Sequence, residues 1–165
     1  MNVAIVTVST RAAAGVYEDR SGDRLVALAV DAGHTVVRRE VVPDGEAQLT
    51  ELLRALCTDP GIELVVTTGG TGLTPTDRTP EATAAVCERL VPGIGEAIRN
   101  ESVPAVPHAM LSRGIAGVLN ETLIVNLPGS PGGATDGWAV IAAVAEHAIS
   151  QIRGGDHPTP QPARS

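Results

Sequence analysis

Two aspartates and two glycine-rich stretches are the residues of this 165-residue chain best suited to chemistry. Asp44 sits in Pro43-Asp44-Gly45, and Asp77 ends the run Gly69-Gly70-Thr71-Gly72-Leu73-Thr74-Pro75-Thr76-Asp77. The second glycine-rich stretch is Pro128-Gly129-Ser130-Pro131-Gly132-Gly133. Glycine turns let backbone N–H groups approach an anion closely, and a carboxylate can hold the divalent cation that phosphates attract. The combination points to a phosphate-and-metal site, joined by the polar trio Ser9, Thr10 and Arg11. Each piece also has a bland reading. Thr67–Gly72 reads as a tight turn, Asp44 as a turn former, Asp77 as an acid favouring the next helix N-terminus, and the last loop as a helix entry. The functional case rests on all four loops reaching one edge of the fold.

The remaining reactive residues narrow the chemistry. The chain has no lysine, which excludes a Walker A loop and Schiff-base catalysis. Cys57 and Cys87 stand in no C-x-x-C pair or Cys/His cluster and read as buried small hydrophobes. His34, His108, His147 and His157 lack metal-ligand spacing, which argues against zinc. Ser130 is not in a G-x-S-x-G elbow. A net charge of −7 and the near absence of aromatic residues argue against nucleic acid. The apolar runs are far short of a membrane span, and the N-terminus lacks a basic, cleavable leader, so a cytoplasmic protein is expected.

The elements that must carry these loops alternate. Val3–Val8, Thr35–Val42, Leu64–Thr67 and Leu123–Leu127 read as buried strands. Arg24–Ala32, Glu46–Leu56, a segment opened by Thr79-Pro80-Glu81, Gly93–Ser102 and Trp138–Ile152 read as helices. Thr10–Gly22 reads as a loop, and Ala109–Ser112 with Gly114–Val118 as short strands or a hairpin. This order predicts one three-layer α/β/α domain with a mainly parallel sheet over residues 1–153, followed by a disordered tail over 154–165. Ligands of such sheets bind outside the carboxyl ends of the strands, where all four loops fall.

The loops resemble those of a known family. T-T-G-G-T-G-L-T-P-T-D-R-T-P-E-A-T (Thr67–Thr83), N-L-P-G-S-P-G-G (Asn126–Gly133), V-S-T-R-A-A-A-G-V-Y-E-D-R-S-G (Val8–Gly22) and V-P-D-G (Val42–Gly45) are similar to the Mog/MoaB molybdenum-cofactor biosynthesis family. The likeness runs from Val3 to about Ile152 and leans towards the Mog-type adenylyltransferases. It implies a homotrimer that transfers AMP from ATP to the terminal phosphate of molybdopterin, and a downstream molybdate-insertion protein as partner. By the same resemblance Asp44 and Asp77 are the catalytic carboxylates and hold Mg²⁺ through the ATP phosphates. Substrate contacts are expected from Ser9, Thr10, Gly69, Gly70, Thr71, Gly72, Ser112, Arg113, Pro128, Gly129, Ser130 and Pro131. Two positions depart from the family pattern: Thr10 and Thr76 stand where relatives carry Asp and Arg. The alternatives are a MoaB-type paralogue that binds molybdopterin with little transfer, and a non-catalytic oligomeric scaffold.

Overall fold

A computed structural model describes residues 1–155. The tail residues from 156 on, with His157, lie outside the described residues. Six strands form one sheet in the order β2-β1-β3-β6-β5-β4. β1 (Asn2–Val8), β2 (Thr35–Val42), β3 (Leu64–Thr68) and β6 (Thr122–Leu127) run parallel. β5 (Ala116–Leu119) turns back antiparallel on β6, and the two-residue β4 (Arg89–Leu90) pairs antiparallel with β5.

Alternation along the central strands divides the core. Val3, Ile5, Leu64, Val66, Val125 and Leu127 face one side. They meet α2 (Arg20–Asp31), α5 (Pro92–Ser102) and α6 (Pro131–Ile152) through Leu25, Ile98, Trp138 and Ile141. Ala4, Val6, Val65 and Ile124 face the other side, against Leu49 and Leu53 of α3 (Glu46–Cys57) and Ala82 and Val86 of α4 (Thr79–Val86). This is the expected three-layer arrangement, with helices on both faces of the sheet. α6 seats close to the sheet because Gly137 lacks a side chain: a Cβ there would meet Leu127 Cδ2 at 2.4 Å.

Four local expectations change. The Thr10–Gly22 segment holds one helical turn, α1 (Thr10–Ala13), and the start of α2, because Ser9 and Asp19 both accept a backbone N–H as N-caps. α2 therefore begins at Arg20 rather than Arg24. α6 begins at Pro131, seven residues before Trp138, since Ser130 caps it and Pro131 takes a first-turn place that needs no N–H. Ala109–Ser112 is not a strand: Pro107–Leu111 forms a 3-10 turn, and β5 starts only at Ala116, where a partner on β6 exists.

Candidate active site

The strand order reverses between β1 and β3, one branch leading to β2 and the other to β6. Crevices open at such switch points, outside the carboxyl ends of the strands. A cavity of about 360 Å³ lies there, lined by Ser9, Asp44, Gly69, Gly70, Gly129 and Pro131. A second cavity of about 550 Å³ adjoins it, lined by Thr71, Gly72, Ser112, Pro128 and Ser130 with an apolar wall that includes Leu111. The same two glycine loops thus line both.

Backbone geometry brings these loops together. Gly69 (φ +102°) and Gly70 (φ +64°) take conformations that side chains disfavour. A Cβ on Gly69 would lie 2.3 Å from the Val8 carbonyl oxygen, and one on Gly129 would lie 3.2 Å from Gly69 Cα. Gly69 N–H donates to Leu127 O at 3.1 Å, and Thr68 Oγ1 donates to Pro128 O at 2.7 Å. Thr79, the first residue of α4, fastens the glycine turn by donating N–H to Gly70 O and Oγ1 to Gly69 O. Beneath, buried Asn126 donates to Thr67 Oγ1 and Thr83 Oγ1 at 3.0 and 2.9 Å, tying β6, β3 and α4 into one floor. The N-terminus of the 22-residue α6 meets the second cavity with Gly132 and Gly133, a geometry that favours anions.

The two aspartates occupy different places. Asp44 lines the first cavity. Its Oδ2 accepts Thr10 N–H at 2.8 Å and Thr10 Oγ1–H at 2.7 Å, and Asp44 N–H lies 3.0 Å from Thr10 Oγ1. Asp77 lines neither cavity. Its Oδ2 accepts Thr74 N–H and Thr74 Oγ1–H at 3.0 and 2.6 Å, and a Cβ on Gly72 would approach that oxygen to 2.8 Å. The carboxylate therefore lies behind Gly72, closing its own loop. Among the described residues no group of three or more His, Cys, Asp or Glu side chains gathers as a metal centre.

Ser112 lines the second cavity, whereas Arg113 lines neither. Arg113 Nε donates to Gly72 O at 2.8 Å and Nη2 to Asp77 O at 2.5 Å, while Nη1 pairs with Glu81. Its backbone N–H reaches Thr71 O at 2.8 Å. Arg113 thus bolts both ends of the Gly72–Asp77 loop to α4, and its guanidinium is spent on the protein. The hydrogen bond from Arg113 is the main reason that the Glu81 carboxyl is held below its ordinary pKa.

Comparison with known proteins identifies the family of the chain. A family model described as a probable molybdopterin binding domain matches residues 4–147. The chain belongs to that family. Molybdopterin adenylyltransferase of Haemophilus influenzae is 42% identical over 135 residues, covering 79% of this chain and 68% of its own. The enzyme of that name from Helicobacter pylori J99 is 41% identical, covering 79% and 76%. Among solved structures, MoaB of Thermus thermophilus superposes with a TM-score of 0.86 at 40% identity, covering 93% of this chain and 96% of its own. The Mog protein of Mycobacterium ulcerans gives 0.85 at 45% identity, covering 92% and 98%.

In this molybdopterin-binding domain family member, several cavity residues carried no role in the sequence reading. Tyr17, Glu18, Asp19 and Arg20 line the first cavity, and Ser102, His108 and Asp136 the second. Asp19 had a usable signal: an acid before Ser21-Gly22 is a helix N-cap pattern. Its oxygens accept Thr7 Oγ1–H at 2.6 Å, Gly22 N–H at 2.9 Å and Arg39 at 2.7 Å. Partial burial alone pushes its pKa up, but these bonds outweigh burial and hold the carboxyl below 3.8. Asp136, which accepts Ser102 Oγ–H at 3.1 Å, gave no local signal, since only the packing of α5 on α6 makes the pair.

Proposed function

We propose that this chain is a molybdopterin adenylyltransferase, moving AMP from Mg²⁺-bound ATP to the terminal phosphate of molybdopterin with release of pyrophosphate. The observation that carries the reading is the pair of adjoining cavities lined by the same glycine loops, one holding Ser9, Asp19 and Asp44, the other larger and mainly apolar with a helix N-terminus beside it. The named adenylyltransferase relatives support it. Two phosphates brought to a common backbone floor are placed for transfer between them. A phosphate nucleophile is already ionised near neutral pH, so the protein has little proton chemistry to perform, and positioning with charge neutralisation does most of the work.

The nucleotide takes the first cavity, where Gly69, Gly70 and Gly129 expose backbone and Ser9 and Asp44 line the wall, while Thr10 stands outside the lining and bonds to Asp44. The pterin takes the second, with its phosphate towards Gly72, Ser130 and Gly132 and Gly133 at the start of α6, and its ring system along the Ser112 wall; Pro131 lines the first cavity instead. The pterin-phosphate oxygen bonds to the α-phosphorus of ATP as the bond to the departing pyrophosphate breaks. The donor set suits Mg²⁺, a hard cation that keeps waters and substrate phosphates as ligands and asks the protein for one or two carboxylates. Asp44 supplies such a carboxylate at the first cavity, and Asp77 adds its charge from behind Gly72. Bound there, Mg²⁺ would supply positive charge to offset that of the phosphates. Arg113 positions the Asp77 loop in this reading and does not touch substrate. The homotrimer and the downstream molybdate-inserting partner belong to the same proposal and rest on the family resemblance.

The test is incubation with molybdopterin, ATP and Mg²⁺, following molybdopterin-AMP and pyrophosphate. Asp44→Asn is expected to cut turnover about 100-fold or more, in line with the several kcal/mol that a metal ion supplies to such transfers. A folded wild type that binds molybdopterin and forms no adduct would leave a binding paralogue.

A further inference from the structure

We infer that Thr10 is a positioning residue for Asp44, holding one carboxylate oxygen so that the other is presented to the metal-bound nucleotide. The inference rests on the adenylyltransferase reading for its ligand but on the geometry of this chain for its logic. Thr10 and Asp44 follow different strands, β1 and β2, and lie 34 residues apart. Ser9 N–H donates to Val42 O at 2.8 Å, drawing the two strand ends together. Thr10 then spends both its backbone N–H and its hydroxyl on the same oxygen, Asp44 Oδ2. Two donors on one oxygen fix the plane of the carboxylate as a single bond would not.

The second oxygen, Oδ1, accepts no bond among the described residues, and it is not among the buried unpaired atoms. It therefore stays open to the cavity or solvent, and Asp44 lines the first cavity. Gly45, at φ +140°, follows directly, so the main chain leaves Asp44 along a path other residues resist. The clasp to Thr10 is what holds the side chain against that permissive backbone. A residue at position 10 with no hydroxyl would keep one donor, the N–H, lose the second, and leave Asp44 N–H without its Thr10 acceptor.

Thr10→Val removes the hydroxyl at nearly constant shape; Thr10→Ser restores it without the methyl. Calorimetry of ATP binding with and without Mg²⁺ reads the effect independently of turnover. For Thr10→Val the Mg²⁺-dependent gain in ATP affinity is expected to fall about tenfold, the worth of one hydrogen bond to a charged group. Metal-free ATP affinity should stay within about twofold, Thr10→Ser should regain most of the loss, and in an Asp44→Asn background Thr10→Val should add little. In turnover the same variant should raise the Mg²⁺ requirement and leave KM for molybdopterin near wild type. A Thr10→Val titration that overlays wild type, or a loss equally large in the Asp44→Asn background, overturns the inference. A wild type that binds Mg²⁺-ATP with this Thr10 dependence but never forms the adduct defeats the adenylyltransferase reading and leaves the inference standing.

Discussion

Arg113→Met keeps the aliphatic stem and deletes the guanidinium, so it measures what the bolt across the Gly72–Asp77 loop is worth. Three groups lose a donor: the carbonyls of Gly72 and Asp77, and the Glu81 carboxylate. A hydrogen bond from a charged donor contributes about 1.5–3 kcal/mol. The Arg113 side chain is 33% exposed, so water replaces part of each bond and the low end applies. The Glu81 pair, at similar exposure, adds about 0–1 kcal/mol. Together about 3 kcal/mol is at stake, which for a chain of this size lowers Tm by about 6–12 °C. Thermal unfolding followed by circular dichroism checks the total. Trypsin cleavage after Arg78 checks where it acts, because a loosened loop opens locally before the domain unfolds. Arg113→Lys, with one compact ammonium in place of a planar fork, should recover less than half. A methionine variant that melts within about 1 °C of wild type would show that the guanidinium bolts nothing.

Gly70→Ala should cost about 2–4 kcal/mol, because a left-handed alanine is strained by about 1–2 kcal/mol and its Cβ would lie 2.3 Å from Thr79 Oγ1. Adding Thr79→Ala should return part of that loss, and strictly additive urea-denaturation energies would refute the clash. Asp19→Asn should destabilise at neutral pH and converge on wild type in acid. The Asp19 carboxyl is held below 3.8, so its contribution is full above that value and is lost as pH falls through the lower folded one. Urea melts of both proteins from about pH 7 to about pH 2 decide it, and a gap constant over that range refutes it. Burial pushes the Cys57 thiol up to about 12 and the Cys87 thiol up to about 11. Cys57 should resist a disulfide reagent near pH 8 in the folded state, and stability should fall as pH rises from 9.0 through those values. Rapid labelling of native Cys57 would count against its burial.

The central strands were legible because they are buried on both faces and read as unbroken β-branched runs, as in Leu64-Val65-Val66. The strand that loops back as β5 was displaced in the reading because four residues on a sheet margin carry too little pattern, and Ala109–Ser112 lay under the influence of Pro107. The site edge was legible through its glycines, whose spacing survives in one dimension. What each polar group does there was not. Asp44 and Asp77 look alike in sequence, yet one lines a cavity and the other closes a turn on Thr74. Arg113 looked like an anion contact until its three acceptors, each distant in sequence, were brought around it. The pairing of Ser102 with Asp136 exists only through helix packing.

The margins of the sheet also govern how copies of this chain can meet. A bare strand edge invites another strand to add to it. Here one margin is β4, only two residues long, and the other is β2, whose outer run carries Arg38, Arg39 and Glu40. Arg39 leans back onto Asp19, the N-cap of α2, and Asp23 in its first turn, so the β2 margin is crossed by charged side chains. Lengthening the sheet from protomer to protomer is thereby discouraged at both ends. An assembly of this chain is left to helix and loop surfaces, which can close a ring without exposing a growing strand edge.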